Sequence, residues 1–232
     1  RRLGKRGIRA YALLGSWHLR THEYALPERH PEAVAMLERV LAYNAAAGPR
    51  ERFAGVNLDI EPHMLETWKE DREGLLLNFL DMSRALMDAK RKAGADIPVG
   101  PAIPFWLDSL ELEWNGGKKP VSEHVLDIYD TAALMNYRDR AEGKDGLIEH
   151  ASSELAYAAK TGKRLAIGVE VTPNEVEKVT FDGMTEEYME RELGKAAAVF
   201  AVSPAFDGLV IHHYGSYREL ASGGGKKKKE AR

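Results

Sequence analysis

The sequence predicts an α/β fold of the (β/α)8 barrel type, incomplete, with six βα units. Short apolar runs alternate with stretches of helical period along the whole chain, which is the pattern of a parallel sheet crossed by helices. Polar groups stand at the C-terminal end of nearly every apolar run: Ser16 to His18, Asp59 and Glu61, Trp106, Tyr137, Glu170, and His212 to Tyr214. Side chains gathered from many strand ends mark a barrel, whereas an open sheet gathers them at one switch point. No glycine-rich phosphate loop follows any run, which weighs against dinucleotide binding.

The elements follow in order. Gly7 to Gly15 is an apolar run between glycines and predicts a buried strand. Ser16-Trp17-His18 opens a polar loop that lasts to Pro27. Val34, Leu37, Val40 and Leu41 fall at helical spacing over 31–46, and Gly48-Pro49 ends that helix. Residues 55–61, Gly-Val-Asn-Leu-Asp-Ile-Glu, predict the second strand. Residues 71–93 predict a long amphipathic helix closed by Gly94, whose methionines read as packing. Ile97 to Trp106 predicts a strand made short and irregular by its prolines. Residues 108–120 read as a loop and 121–130 as a brief helix. Ala132 to Tyr137, Leu165 to Val171 and Gly208 to Tyr214 predict the remaining strands. Helices over 145–160 and 184–201 separate them. Residues 1–220 make one barrel-type domain, and residues 221–232 a flexible Gly/Lys tail. Six strands do not close a barrel of eight, so the missing pair is expected before residue 1.

Composition narrows the function. The 232 residues are 44% hydrophobic and carry a net charge of −3, which argues against a nucleic-acid surface over the chain. There is no cysteine, hence no disulfide framework and no thiol chemistry. No apolar run is long enough for a membrane span.

The 55–61 stretch is the focus. Val56, Leu58 and Ile60 alternate with Asn57, Asp59 and Glu61. Period-two alternation puts an amide and two carboxylates on one strand face. Such groups are costly to bury without partners, and strands of α/β folds are covered on both faces. A polar face there points to a site. Gly-Val-Asn-Leu-Asp-Ile-Glu (55–61) resembles the fourth-strand signature of the chitinase-like enzymes of glycoside hydrolase family 18. Leu-Met-Asn-Tyr-Arg-Asp (134–139) resembles the sixth-strand motif of the same group. Asn-Leu-Asp-Ile-Glu-Pro-His, with Gly-Val-Glu and Ile-His-His-Tyr downstream, also resembles poorly characterised bacterial barrel hydrolases. The resemblance implies that the six strands are the third to eighth of a barrel and that the substrate is a carbohydrate. It favours an extracytoplasmic or secreted setting and calls for no cofactor or metal. The chain departs from the chitinase pattern: Ala54 and Asn57 stand where that pattern has aspartates, and Arg138 is inserted before Asp139.

A glycosidase needs a carboxylic acid to protonate the leaving oxygen and a second group to stabilise or trap the oxocarbenium-like centre. Glu61 is the expected acid, with Asp59 beside it to raise its pKa by like-charge repulsion. The second group is left open. Asp59 could orient a substrate acetamido group, as the resemblance implies. Alternatively Glu170, at the seventh strand's end by this count, could be the nucleophile, ~5–5.5 Å from the acid. Tyr137 is expected to hydrogen-bond the reacting sugar. Asn57, Trp17, Trp106, Asn136, Arg138, His212 and Tyr214 are candidate substrate contacts. A rival reading is a metal-dependent hydrolase with ligands from His18, His22, Asp59, Glu61, His63 and His212. Another is a carbohydrate-binding barrel without turnover.

Overall fold

The structure, a computed structural model, describes residues 3–223. The Gly/Lys tail expected from residue 221 onward lies outside the described residues beyond Gly223. Among the described residues there are eight strands: β1 (Tyr11–Leu14), β2 (Gly55–Leu58), β3 (Val99–Pro104), β4 (Glu111–Trp114), β5 (Gly117–Pro120), β6 (Thr131–Met135), β7 (Arg164–Glu170) and β8 (Phe206–His212). The α-helices are α1 (His30–Ala46), α2 (Arg72–Lys92), α3 (Val121–Ile128), α4 (Leu147–His150), α5 (Ser152–Thr161), α6 (Glu186–Phe200) and α7 (Tyr214–Ala221). Six βα units in chain order make this an α/β fold of the barrel type, two units short of the eight that close a (β/α)8 barrel.

The chain divides into two compact units. The first holds Arg1–Ile103 and Ser109–Ala132, the second Pro104–Asp108 and Ala133–Arg232.

In the first unit, β1, β2 and β3 are parallel neighbours in that order. Helix α1 begins with Pro31 in its first turn, where a missing N–H costs nothing. Asp71 caps α2 by accepting from the Gly74 amide. The apolar stripe of α2, including Leu76, Phe79, Leu80 and Leu86, is buried. Asp130 ties the end of α2 to β3: its Oδ2 accepts from Lys90 Nζ at 2.6 Å and from the Val99 amide at 2.8 Å.

Two expectations need correction in this unit. Residues 111–120 are an antiparallel hairpin, β4 and β5, rather than a loop. Asn115 (φ 53°) and Gly116 (φ 79°) both take the left-handed conformation that a two-residue hairpin turn requires. Trp114 anchors the hairpin by donating to Asp81 of α2 at 3.0 Å. Strand β3 is a full six-residue strand that holds Pro101 and Pro104 without breaking.

In the second unit, β6, β7 and β8 follow the same order, and β7 and β8 pair in parallel with Glu170 beside His212. The helix expected over 145–160 is two, α4 and α5, which meet at Ala151. The last strand lies two residues earlier than expected. It ends at His212, so Tyr214 starts α7 instead of sharing a strand face with His212.

Candidate functional site

In the first unit, β2 delivers the paired carboxylates. Val56 and Leu58 are buried on one side of the strand, and Ile60, 2% exposed, continues that face. Asp59 and Glu61 flank it and are half-buried. The Asp59 amide donates to the Leu14 carbonyl at 3.0 Å, so the ladder with β1 runs one residue past the strand. A tight approach holds it there: a Cβ added to Gly15 would lie 2.8 Å from Asp59 Cα and nearer still to its Cβ and carbonyl oxygen. Asn57 lies on β2 between Leu13 of β1 and Gly100 of β3. Pro62 then turns the chain through Pro62–Met64. This turn brings His63 back, with Nε2 3.2 Å from Glu61 Oε2. Its ring meets Trp68 edge-on at 6.2 Å. The sequence alone suggests His63 only as a metal ligand. The signal for its pairing is the Glu-Pro-His triplet, in which the proline folds the histidine onto the carboxylate.

Trp17 and His18 lie in the helical turn Trp17–Leu19, and His22 in the turn Thr21–Ala25. Among the described residues, no group of three or more His, Asp or Glu side chains comes together to hold a metal ion.

In the second unit, Glu170 ends β7 at 7% exposure. Its Oε1 accepts from the Val171 and Thr172 amides, each at 2.7 Å. Its Oε2 faces His212 Nδ1 at 2.9 Å. Burial pushes this carboxyl up. The bonds from His212 and Thr172 outweigh burial and hold it below the ordinary range. The following loop folds back on the strand. Thr180 Oγ1 donates to the Thr172 carbonyl at 2.7 Å, and the Phe181 amide donates to the Glu170 carbonyl at 2.9 Å. The His212 side chain is 56% exposed. The Tyr137 ring lies nearly parallel to it, 6.4 Å away at 23°. Tyr137, Glu170 and His212 are therefore brought together.

Arg138 does not pair with Glu170. Its Nε donates to Asp145 Oδ1 at 2.6 Å, and its Nη1 to the Tyr137 carbonyl at 2.7 Å. Asp145 also receives Lys178 Nζ at 2.6 Å and faces His150 Nε2 at 2.8 Å. Lys178, then His150, hold its carboxyl well below the usual range, with Arg138 adding to them. Phe105 closes this cluster, 4.3 Å from the His150 ring and 4.8 Å from the Arg138 guanidinium. Asp145, His150, Lys178 and Phe105 carry no sequence signal, since they come from separate elements distant in the chain.

Asn136 is fully buried and donates its amide to the Leu147 carbonyl at 2.7 Å, which bolts β6 to α4. Trp106 is half-buried in the turn Phe105–Ser109. Tyr214 stands 73% exposed at the start of α7.

No protein-family model matches the chain. None of the curated proteins matches it. Among solved structures it is similar to the catalytic domain 2 of a group II chitinase from Ostrinia furnacalis, bound to a chitooligosaccharide. That match has a TM-score of 0.40 and 15% identity over 73% of this chain and 47% of that one. It is also similar to a chitinase from Chromobacterium violaceum, with a TM-score of 0.44 and 19% identity over 73% of this chain and 51% of that one. The chain spans about half the length of each.

Proposed function

We propose that the chain is a glycoside hydrolase acting on a poly- or oligosaccharide, with Glu61 as the general acid. The observation that carries this reading is the pair of half-buried carboxylates at the end of β2, Asp59 and Glu61, set around the buried Ile60. The motif's resemblance to the family 18 signature supports it. The leaving alkoxide needs a proton as the glycosidic bond breaks, and a carboxylic acid at a strand end suits that transfer. His63 at 3.2 Å gives Glu61 a partner with which to exchange its proton. Asp59 orients the substrate, through an acetamido group where the sugar has one.

The test is release of sugar from a panel of polysaccharides and aryl glycosides, N-acetylated and not, by wild type and Glu61→Gln. The expected result is turnover by wild type and a loss of about a hundred- to ten-thousand-fold in the variant. Equal product formation by both proteins overturns the assignment of Glu61. Saccharide binding without any release favours a carbohydrate-binding barrel. Activity lost on chelation favours a metal-dependent hydrolase.

A further inference from the structure

We infer that the Glu154 carboxyl is held protonated in the folded chain, and that this proton latches the Phe105–Ser109 turn onto α5 until rising pH removes it. The three groups of the latch lie in the second unit: Asp108 late in the turn, and Ser153 and Glu154 in the first turn of α5. Ser153 Oγ is 2.9 Å from Asp108 Oδ2 and 2.9 Å from Glu154 Oε2. A hydroxyl carries one hydrogen, and an ionised carboxylate can only accept. With both carboxylates ionised, one of them would meet an oxygen lone pair at hydrogen-bond distance. One carboxyl therefore carries a proton.

Burial decides which one. Glu154 is 1% exposed, and its Oε1 has no hydrogen-bond partner among the described residues. A charge there would lack both water and donors. Asp108 is only half-buried, and its bond to Ser153 lies at the surface. The proton belongs on Glu154 Oε2, which donates to Ser153 Oγ, and the hydroxyl donates onward to Asp108 Oδ2. Asp108 is the charged group that acts on Glu154 across this contact, and it opposes a second negative charge. His150, four residues earlier, is committed to Asp145 at 2.8 Å.

The pH range follows from the same surroundings. Burial, with Asp108 adding to it against the Ser153 bond, pushes the carboxyl up to about 7. Below that value the proton is present and the latch is closed. Above it two carboxylates compete for one hydroxyl hydrogen and repel each other. Closed chains outnumber open ones by about ten to one at pH 6, and the ratio reverses at pH 8. The bond that is lost joins residues 45 apart in the chain, so its loss acts on the turn. Leu107, 4% exposed, and Phe105, against His150 and Arg138, keep the root of the turn in place. The turn loosens rather than departs, and it carries Trp106, a candidate saccharide contact.

Two measurements on the whole chain test the latch. Neither needs a substrate, so the latch stands or falls apart from the hydrolase reading. Carbon NMR of the Glu154 carboxyl, assigned by its loss in Glu154→Gln, should show the protonated form at pH 6 and the ionised form at pH 8. An ionised Glu154 at pH 6 overturns the inference. Amide hydrogen exchange in the turn, corrected for its intrinsic rise with pH, should quicken about tenfold from pH 6 to pH 8 in wild type, because a hydrogen bond to a charged group is lost. In Glu154→Gln the side-chain amide donates to Ser153 at every pH, so exchange should stay at the slow level. In Ser153→Ala it should be fast at both. A wild-type turn whose exchange is unchanged over this range, or a Glu154→Gln turn that loosens as wild type does, overturns the inference.

Discussion

Gly15→Ala is the substitution whose consequence is most directly set by geometry. Gly15 does not need glycine for its backbone conformation, since its φ is outside the left-handed range. It needs glycine because Asp59 occupies the space of a side chain. The new Cβ would lie 2.8 Å from Asp59 Cα and closer to two other Asp59 atoms, where ordinary van der Waals contact begins at 3.4 Å. Two of the three atoms met belong to the backbone, so no rotamer change relieves the clash. The strands must separate instead. Overpacking of this kind costs about 1–3 kcal/mol, and a rigid backbone neighbour puts it near the upper end. For a chain of this size that is a fall in Tm of about 4–12 °C. The assay is thermal unfolding by circular dichroism, with Gly194→Ala as the control. Gly194 lies in the exposed face of α6 with open space around its Cβ position. Alanine there should stabilise by about 0.5–1 kcal/mol. A Gly15→Ala protein as stable as wild type, beside a stabilised Gly194→Ala, would refute the reasoning. The Gly15→Ala protein should also lose turnover, because the atoms displaced are those of Asp59.

Two further outcomes concern titration. Glu154 is 1% exposed, and its Oε1 has no hydrogen-bond partner among the described residues. Burial, with Asp108 adding to it, pushes its carboxyl up to about 7 against the Ser153 hydrogen bond. A raised carboxyl keeps a proton in the folded state that the unfolded chain has already released, so stability falls as pH rises from about 4.5 to 7. Glu154→Gln should be more stable than wild type at pH 8, and denaturant titrations should show the gap closing below pH about 4.5. Asp145 has the opposite sign. Its depressed carboxyl contributes stability above the ordinary carboxylate range that is lost as pH falls through the folded value. Asp145→Asn should lower Tm at pH 7, and scans at falling pH should show the deficit shrinking below pH about 4.

The fold was legible because period-two and helical alternation report burial, and burial is what the βα repeat imposes on every element. The Asp59–Glu61 pair was legible for the same reason, because the alternation of β2 continues past its end at Leu58. What escaped depends on distance or on exact ends. The β4–β5 hairpin escaped although Asn115-Gly116 is a strong turn signal, because its flanking strands are short and rich in charge. Strand β8 carries a register shift against β7 near Leu165 and Ile167, with Gly208 at φ 114°, and the whole strand lies two residues earlier than its apolar run suggests. That shift separates Tyr214 from His212. The Glu170–His212 pair joins residues 42 apart. No local pattern encodes such a pair; it follows from the register of two strands once both ends are known.

The way Glu170 is seated bears on the order in which the chain assembles. Its Oε1 partners are the next two residues, and the loop that closes over it returns by Phe181. This cradle is built from neighbours in the chain, so it costs little loop-closure entropy. The bond to His212 requires α6 and β8 to be in place first. Amide exchange at Val171 and Thr172 therefore reads the seating of the carboxylate. The pairing of His212 with Glu170 reads the later docking of the strand that completes the pair.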